Sequence, residues 1–115
     1  MLFREVADYA LNEDTDRLIA EQMQWIAAEP ASPQPYYQLA MFYRIKGLQE
    51  EALALLLHTV HLDPAHASAH IALTEIYAVR ADYPAAWRHA RLAAQNGKEE
   101  GVTLLLRHNV AEPPA

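Results

Sequence analysis

Cysteine is absent from the 115 residues, which excludes disulfides and thiolate metal sites. Glycine occurs only at positions 47, 97 and 101, too sparsely to build a phosphate-cradling loop. No apolar run reaches the ~18 residues that a membrane-spanning helix needs, so no membrane partner is expected. The opening MLFREVADYALNED carries acids early and lacks the apolar centre of a secretory leader. A cytoplasmic location is the expectation. Basic residues are also few: nine Lys and Arg stand against fifteen Asp and Glu, for a net charge of −6. An acidic chain repels phosphate backbones, so nucleic acid is not an expected partner. The imbalance is concentrated in residues 1–30, where seven acids meet two bases. That is the pattern of a solvated face, or of a face that favours a basic partner.

What is present is helix-forming. The length suits one domain with a core of its own. Ala and Leu dominate, apolar positions recur with helical spacing, and strand-like alternation is missing. Breaks fall at short, regular intervals. Asp14 or Thr15 is placed to cap a helix running to about Glu29, with Leu18, Ile19, Met23, Trp25 and Ile26 as its apolar side. Ser32 and Pro33 form an N-cap and first-turn pair for the next helix, which ends at Gly47. QEEALALLLHTVHL follows, closed by Asp63-Pro64, and then ASAHIALTEIYAVR. Asp82 caps a helix that reaches Gly97, and EEGVTLLLRH forms a shorter last one. The tail NVAEPPA is expected to be disordered. Short breaks between helices make neighbours antiparallel.

The hairpins repeat. Pro30 and Pro64, Leu39 and Leu73, Tyr43 and Tyr77, and Ala52 and Ala86 are each 34 residues apart. On these residues the sequence resembles the tetratricopeptide repeat (TPR) family. Unit 33–66 supplies Tyr36, Leu39, Ala40, Tyr43, Ala52, Leu56, Thr59 and Pro64 in the family's slots. Unit 67–100 supplies Leu73, Thr74, Tyr77, Ala86 and Ala93, and departs at His70, Ala90 and Lys98. Residues 1–32 keep only Tyr9 and Pro30 of the pattern. The resemblance implies an all-α fold, a right-handed α-solenoid of antiparallel helix hairpins. It comprises about two full repeats, a degenerate N-terminal hairpin or helix, and a capping helix at 98–108, making one domain over 1–108 with a tail at 109–115.

The resemblance also implies a non-catalytic adaptor or scaffold that binds a peptide or helix of another protein in a concave groove of A helices. By register, the groove residues are Gln34, Tyr37, Met41, Arg44, Ile45, Ser68, Ile71, Glu75, Ala78 and Val79. The Lys and Asn carboxylate clamp of chaperone adaptors in the family has no counterpart here, because Tyr37 and Met41 take its positions.

Chemistry of other kinds finds no foothold. Ser32 and Ser68 stand at helix starts, where capping explains them. Glu50-Glu51 and Glu99-Glu100 stand in first turns, where the helix dipole explains them. No catalytic residue and no cofactor is therefore expected. His58, His61, His66 and His70 lie within thirteen residues, but the repeat register sends them to different places. Two go to an outer face, one to the inter-repeat turn and one inward, so no metal site is expected. The alternatives to the adaptor are a self-associating structural piece of a larger assembly, in the form of a weak homo-oligomer whose ends pair between chains through Trp25, Trp87 and Leu104–Leu106, and a histidine metal-binding module.

Overall fold

A computed structural model describes the backbone of residues 2–114 and the side chains of residues 13–114. Its secondary structure is entirely α-helical among the described residues. The helices are α1 (Leu2–Ala28), α2 (Pro33–Ile45), α3 (Gln49–Leu62), α4 (Ala67–Val79), α5 (Tyr83–Gln95) and α6 (Glu100–Arg107). Each helix packs on its neighbour in the chain, and α4 also touches α6. The shortest dimension is 22 Å, about two helix diameters.

Helices α2 and α4 start 34 residues apart, as do α3 and α5. Burial repeats at the same interval. Pro35 and Ala69, Leu39 and Leu73, Ala40 and Thr74, Ala52 and Ala86, Leu56 and Ala90, and Thr59 and Ala93 are all buried. Small residues at Ala40, Ala52 and Ala86, each wholly buried, let the helix axes approach. Leu56 has only Ala90 as its counterpart. Trp87, one turn earlier on α5 and 1% exposed, supplies the missing volume. It forms a second core centre with Ala86, Ala90 and Leu105. Gly101 brings α6 in close, since a Cβ there would lie 3.3 Å from Ala90 and from Thr74 Oγ1.

Helix ends follow local chemistry. The Asp82 carboxylate accepts from the Ala85 N–H at 3.2 Å, and His66 caps α4 by accepting from the Ala69 N–H at Nδ1, 3.1 Å away. Ser32 occupies the N-cap of α2 without a side-chain bond, and Pro33 follows in the first turn. Helices α2, α4, α5 and α6 all close with paired bonds from the two residues after the cap back to the last turn. The residue that must turn left-handed is Gly47 after α2 (φ +78°) and Ala81 after α4 (φ +59°). A Cβ in that conformation costs about 1 kcal/mol or more. Ala81→Gly is therefore expected to stabilise the fold by about 1 kcal/mol, and Gly47→Ala to destabilise it by a similar amount. Urea denaturation of the two variants checks this.

Three expectations change. The first helix does not begin at Asp14 or Thr15; α1 runs unbroken through them. No Gly or Pro lies between residues 2 and 29, and residues that can cap do not end a helix that nothing breaks. The N-terminal unit is thus one helix rather than a hairpin. Thr15, Ile19 and Gln22 form its buried stripe, with Ile26 half-buried, whereas Met23 is 48% and Trp25 37% exposed. This stripe precedes Ala52, Leu56 and Thr59 by 37 residues, not 34. Tyr9, a family position in the sequence reading, lies outside the residues whose side chains are described. Finally, residues 109, 110 and 112 of the tail take defined positions. Asn109 turns at φ +57°, Val110 packs on the Trp87–Leu105 centre, and Arg91 pairs with Glu112 at 2.7 Å.

A candidate interaction groove on α2, α4 and α6

Two antiparallel steps, α4 to α5 and α5 to α6, bring α6 alongside α4. Arg44 of α2 reaches Glu75 of α4, with Nη2 donating to Oε2 at 2.9 Å. Around this pair lie adjoining clefts. One, of about 450 Å³, is floored by Ile71 and Leu104 and bordered by Glu75, Glu99, Glu100 and Arg107. A second, of about 520 Å³, is lined by Arg44, Glu75, Ala78, Val79, Tyr83, Leu104, His108 and Val110. A third lies over Met41, Arg44, Ile45 and Gln49. The first two share Glu75 and Leu104, and the last two share Arg44, so the clefts adjoin one another along α2, α4 and α6.

Of the register-derived groove residues, Met41, Arg44, Ile45, Ile71, Glu75, Ala78 and Val79 line these clefts. Val79 is 89% and Ile45 65% exposed, a large apolar exposure for two side chains lining adjoining clefts. The other three are placed differently. Gln34 Oε1 accepts from His66 Nε2 at 3.1 Å. Tyr37 packs against the first core cluster and against the His66 ring, 4.8 Å away. Ser68 is half-buried and borders none of the three clefts. Gln34 and Tyr37 thus help to hold the α2–α4 joint, drawn in by the capping histidine.

The sequence reading missed the contribution of α6. Leu104, Arg107, His108, Glu99 and Glu100 all border the groove. Buried Gly101 and Leu105 follow buried Ala69 and Leu73 by 32 residues, so a strict 34-residue period does not place them. The signal available was local: EEGVTLLLRH carries apolar residues with helical spacing.

The histidines divide as their register indicates. His58 and His61 are exposed on α3, with rings 6.1 Å apart, and Tyr36 meets His58 edge-on at 4.5 Å. His66 caps α4, and burial lowers its pKa below the ordinary value. His70 is buried against His89, a residue the sequence reading did not single out. The two Nδ1 atoms are 2.9 Å apart. His70 Nε2 lies 2.8 Å from the Pro64 carbonyl oxygen. A carbonyl only accepts, so the neutral His70 carries its hydrogen on Nε2. Its Nδ1 then accepts, and His89 Nδ1–H donates. Both nitrogens of His70 are committed, leaving none to activate Ser68. His89 Nε2 is buried without a partner, and Tyr77 lies parallel to its ring at 5.6 Å. Desolvation by burial, reinforced by His70 and Arg88, lowers the His89 pKa to about 4. Among the described residues, no three His, Asp or Glu side chains are grouped to hold a metal ion, and no helix is long and apolar enough to cross a membrane.

No protein-family model matches the chain, and no curated protein matches it.

Proposed function

We propose that the chain is a protein-interaction module of the tetratricopeptide type. In this reading it is a short right-handed solenoid, acting as an adaptor or scaffold, whose groove receives an apolar anchor from a partner's peptide or helix. The observation that carries the reading is the row of adjoining clefts, to which three helices contribute apolar side chains. Ile45 and Val79 stand mostly exposed there. The 34-residue recurrence of both helices and buried positions supports the repeat assignment. Self-association is the weaker reading. Trp87 is consumed by the core, and of the apolar groups suggested for that role Trp25 and Leu106 are the markedly exposed ones.

The test is affinity capture from the native cell extract with wild type, with Ile45→Glu/Val79→Glu, and with Leu57→Glu on α3. All three replaced side chains are exposed, so each variant is expected to keep its helicity. Capture of the same protein by wild type and by Leu57→Glu, with loss by the groove variant, is the expected result. Equal capture by all three rules out the groove.

A further inference from the structure

The charges around the groove are unequal in their pairing. Glu75 is neutralised by Arg44 at 2.9 Å. Glu99 and Glu100 border the cleft over Ile71 and Leu104, and among the described residues no cation pairs with either. Lys98 is their neighbour in sequence but lines neither of the two α4–α6 clefts. The dipole of α6 favours acids at its N-terminus whatever the groove does. It does not account for an apolar floor beside them. Arg107, about two turns further along α6, lines the same cleft. The cleft is therefore lined by the apolar Ile71 and Leu104 together with two unpaired carboxylates, in a chain of net charge −6.

We infer that the occupant of the α4–α6 cleft is a cationic amphipathic segment of a partner protein. Its apolar side chain sits over Ile71 and Leu104, and a Lys or Arg beside that anchor reaches Glu99 and Glu100. This inference rests on the groove reading above and adds the chemistry of the partner. A carboxylate-rich segment would meet two unpaired acids there and be disfavoured. Exposed pairs of this kind contribute modestly, so removal of both carboxylates is expected to weaken binding by about tenfold.

Two fluorescein-labelled amphipathic peptides of ~18 residues, enough for five helical turns, test it. They share a leucine face and differ in a lysine or a glutamate polar face. Anisotropy titrations at moderate salt use the full chain, Glu99→Gln/Glu100→Gln, and Glu13→Gln/Glu21→Gln. The last variant removes the same charge from exposed positions of α1 and so controls for net charge. The lysine peptide is expected to bind at least tenfold more tightly than the glutamate peptide. The Glu99/Glu100 variant is expected to lose about tenfold, and the α1 variant less than twofold. Equal binding of the two peptides, no binding of either, or equal loss in both variants overturns the inference. Val79→Asp and Leu104→Asp, each checked for retained helicity, separate the two readings. If they release both peptides while charge makes no difference, the groove stands and the cationic partner falls. If the lysine peptide binds both variants as tightly as wild type, the groove itself is the wrong place.

Discussion

Trp87→Ala is expected to cost about 4 kcal/mol, the largest loss from any single substitution considered for this chain. The side chain is 1% exposed and joins Ala86, Ala90 and Leu105, with Tyr77, Ala78, Val102 and Val110 around it. Most of these neighbours are small and sit on helix backbones already in close contact, so they cannot close the space left behind. The cavity would open where α4, α5 and α6 meet, and α6 would lose its anchor at Leu105. One term acts in the opposite direction. The indole N–H is buried without an acceptor, and its removal returns about 1 kcal/mol or more. Trp87→Phe, which keeps much of the ring volume and deletes that N–H, is therefore expected to cost less than half as much. Urea unfolding followed by far-UV circular dichroism measures both. A domain of this size has roughly 5–15 kcal/mol in total, so Trp87→Ala should bring it close to the edge of stability at 37 °C.

Acid is the second large effect. His89 has an ordinary pKa of 6.5 when unfolded and about 4 when folded. Between these values the unfolded chain holds more protons than the folded one, so stability rises with pH there. The contribution is complete above about pH 7 and is lost as the pH falls from 6.5 through 4. The gap corresponds to about 3 kcal/mol at the acid end. His66, also lowered by burial, adds loss of the same sign. The groups facing His89 are His70 at Nδ1, Tyr77 on the ring face, and the positive Arg88 beside it. Among these no carboxylate is present to offset a charge on the ring. His89→Phe keeps a flat ring and cannot be protonated. At pH 7 it should be less stable than wild type by about 1–2 kcal/mol, because His70 Nδ1 is left unpaired. Near pH 4 the order should invert. Stability curves from pH 7.5 to 4 that cross support the pairing; parallel curves contradict it.

Much of this architecture was legible because repetition leaves marks on single residues. Leu39 and Leu73, Ala52 and Ala86, and Gly47 as a turn residue stand where a 34-residue period puts them. The period also sent His70 inward and His58 and His61 outward. What escaped lay where the period slips. In α1 the buried stripe lies three residues earlier than the period places it, and at α6 two residues earlier. A residue-by-residue register cannot show either shift, because packing against a single neighbour tolerates a different helix rotation. His89 escaped for another reason. Its partner His70 is 19 residues away, and nothing in the sequence identifies the ring that fills a buried polar slot. Tyr37 and Gln34 were placed in the groove by register alone, but the side chain of His66 draws both to the joint.

Methyl-resolved NMR of the chain bound to its captured partner tests the central claim most directly. The groove account predicts that methyl resonances of Ile45, Ile71, Val79 and Leu104 shift on binding, while those of Leu57, Val60 and Leu92 on α3 and α5 stay in place. Shifts confined to α3 and α5, with the groove methyls unmoved, would contradict it.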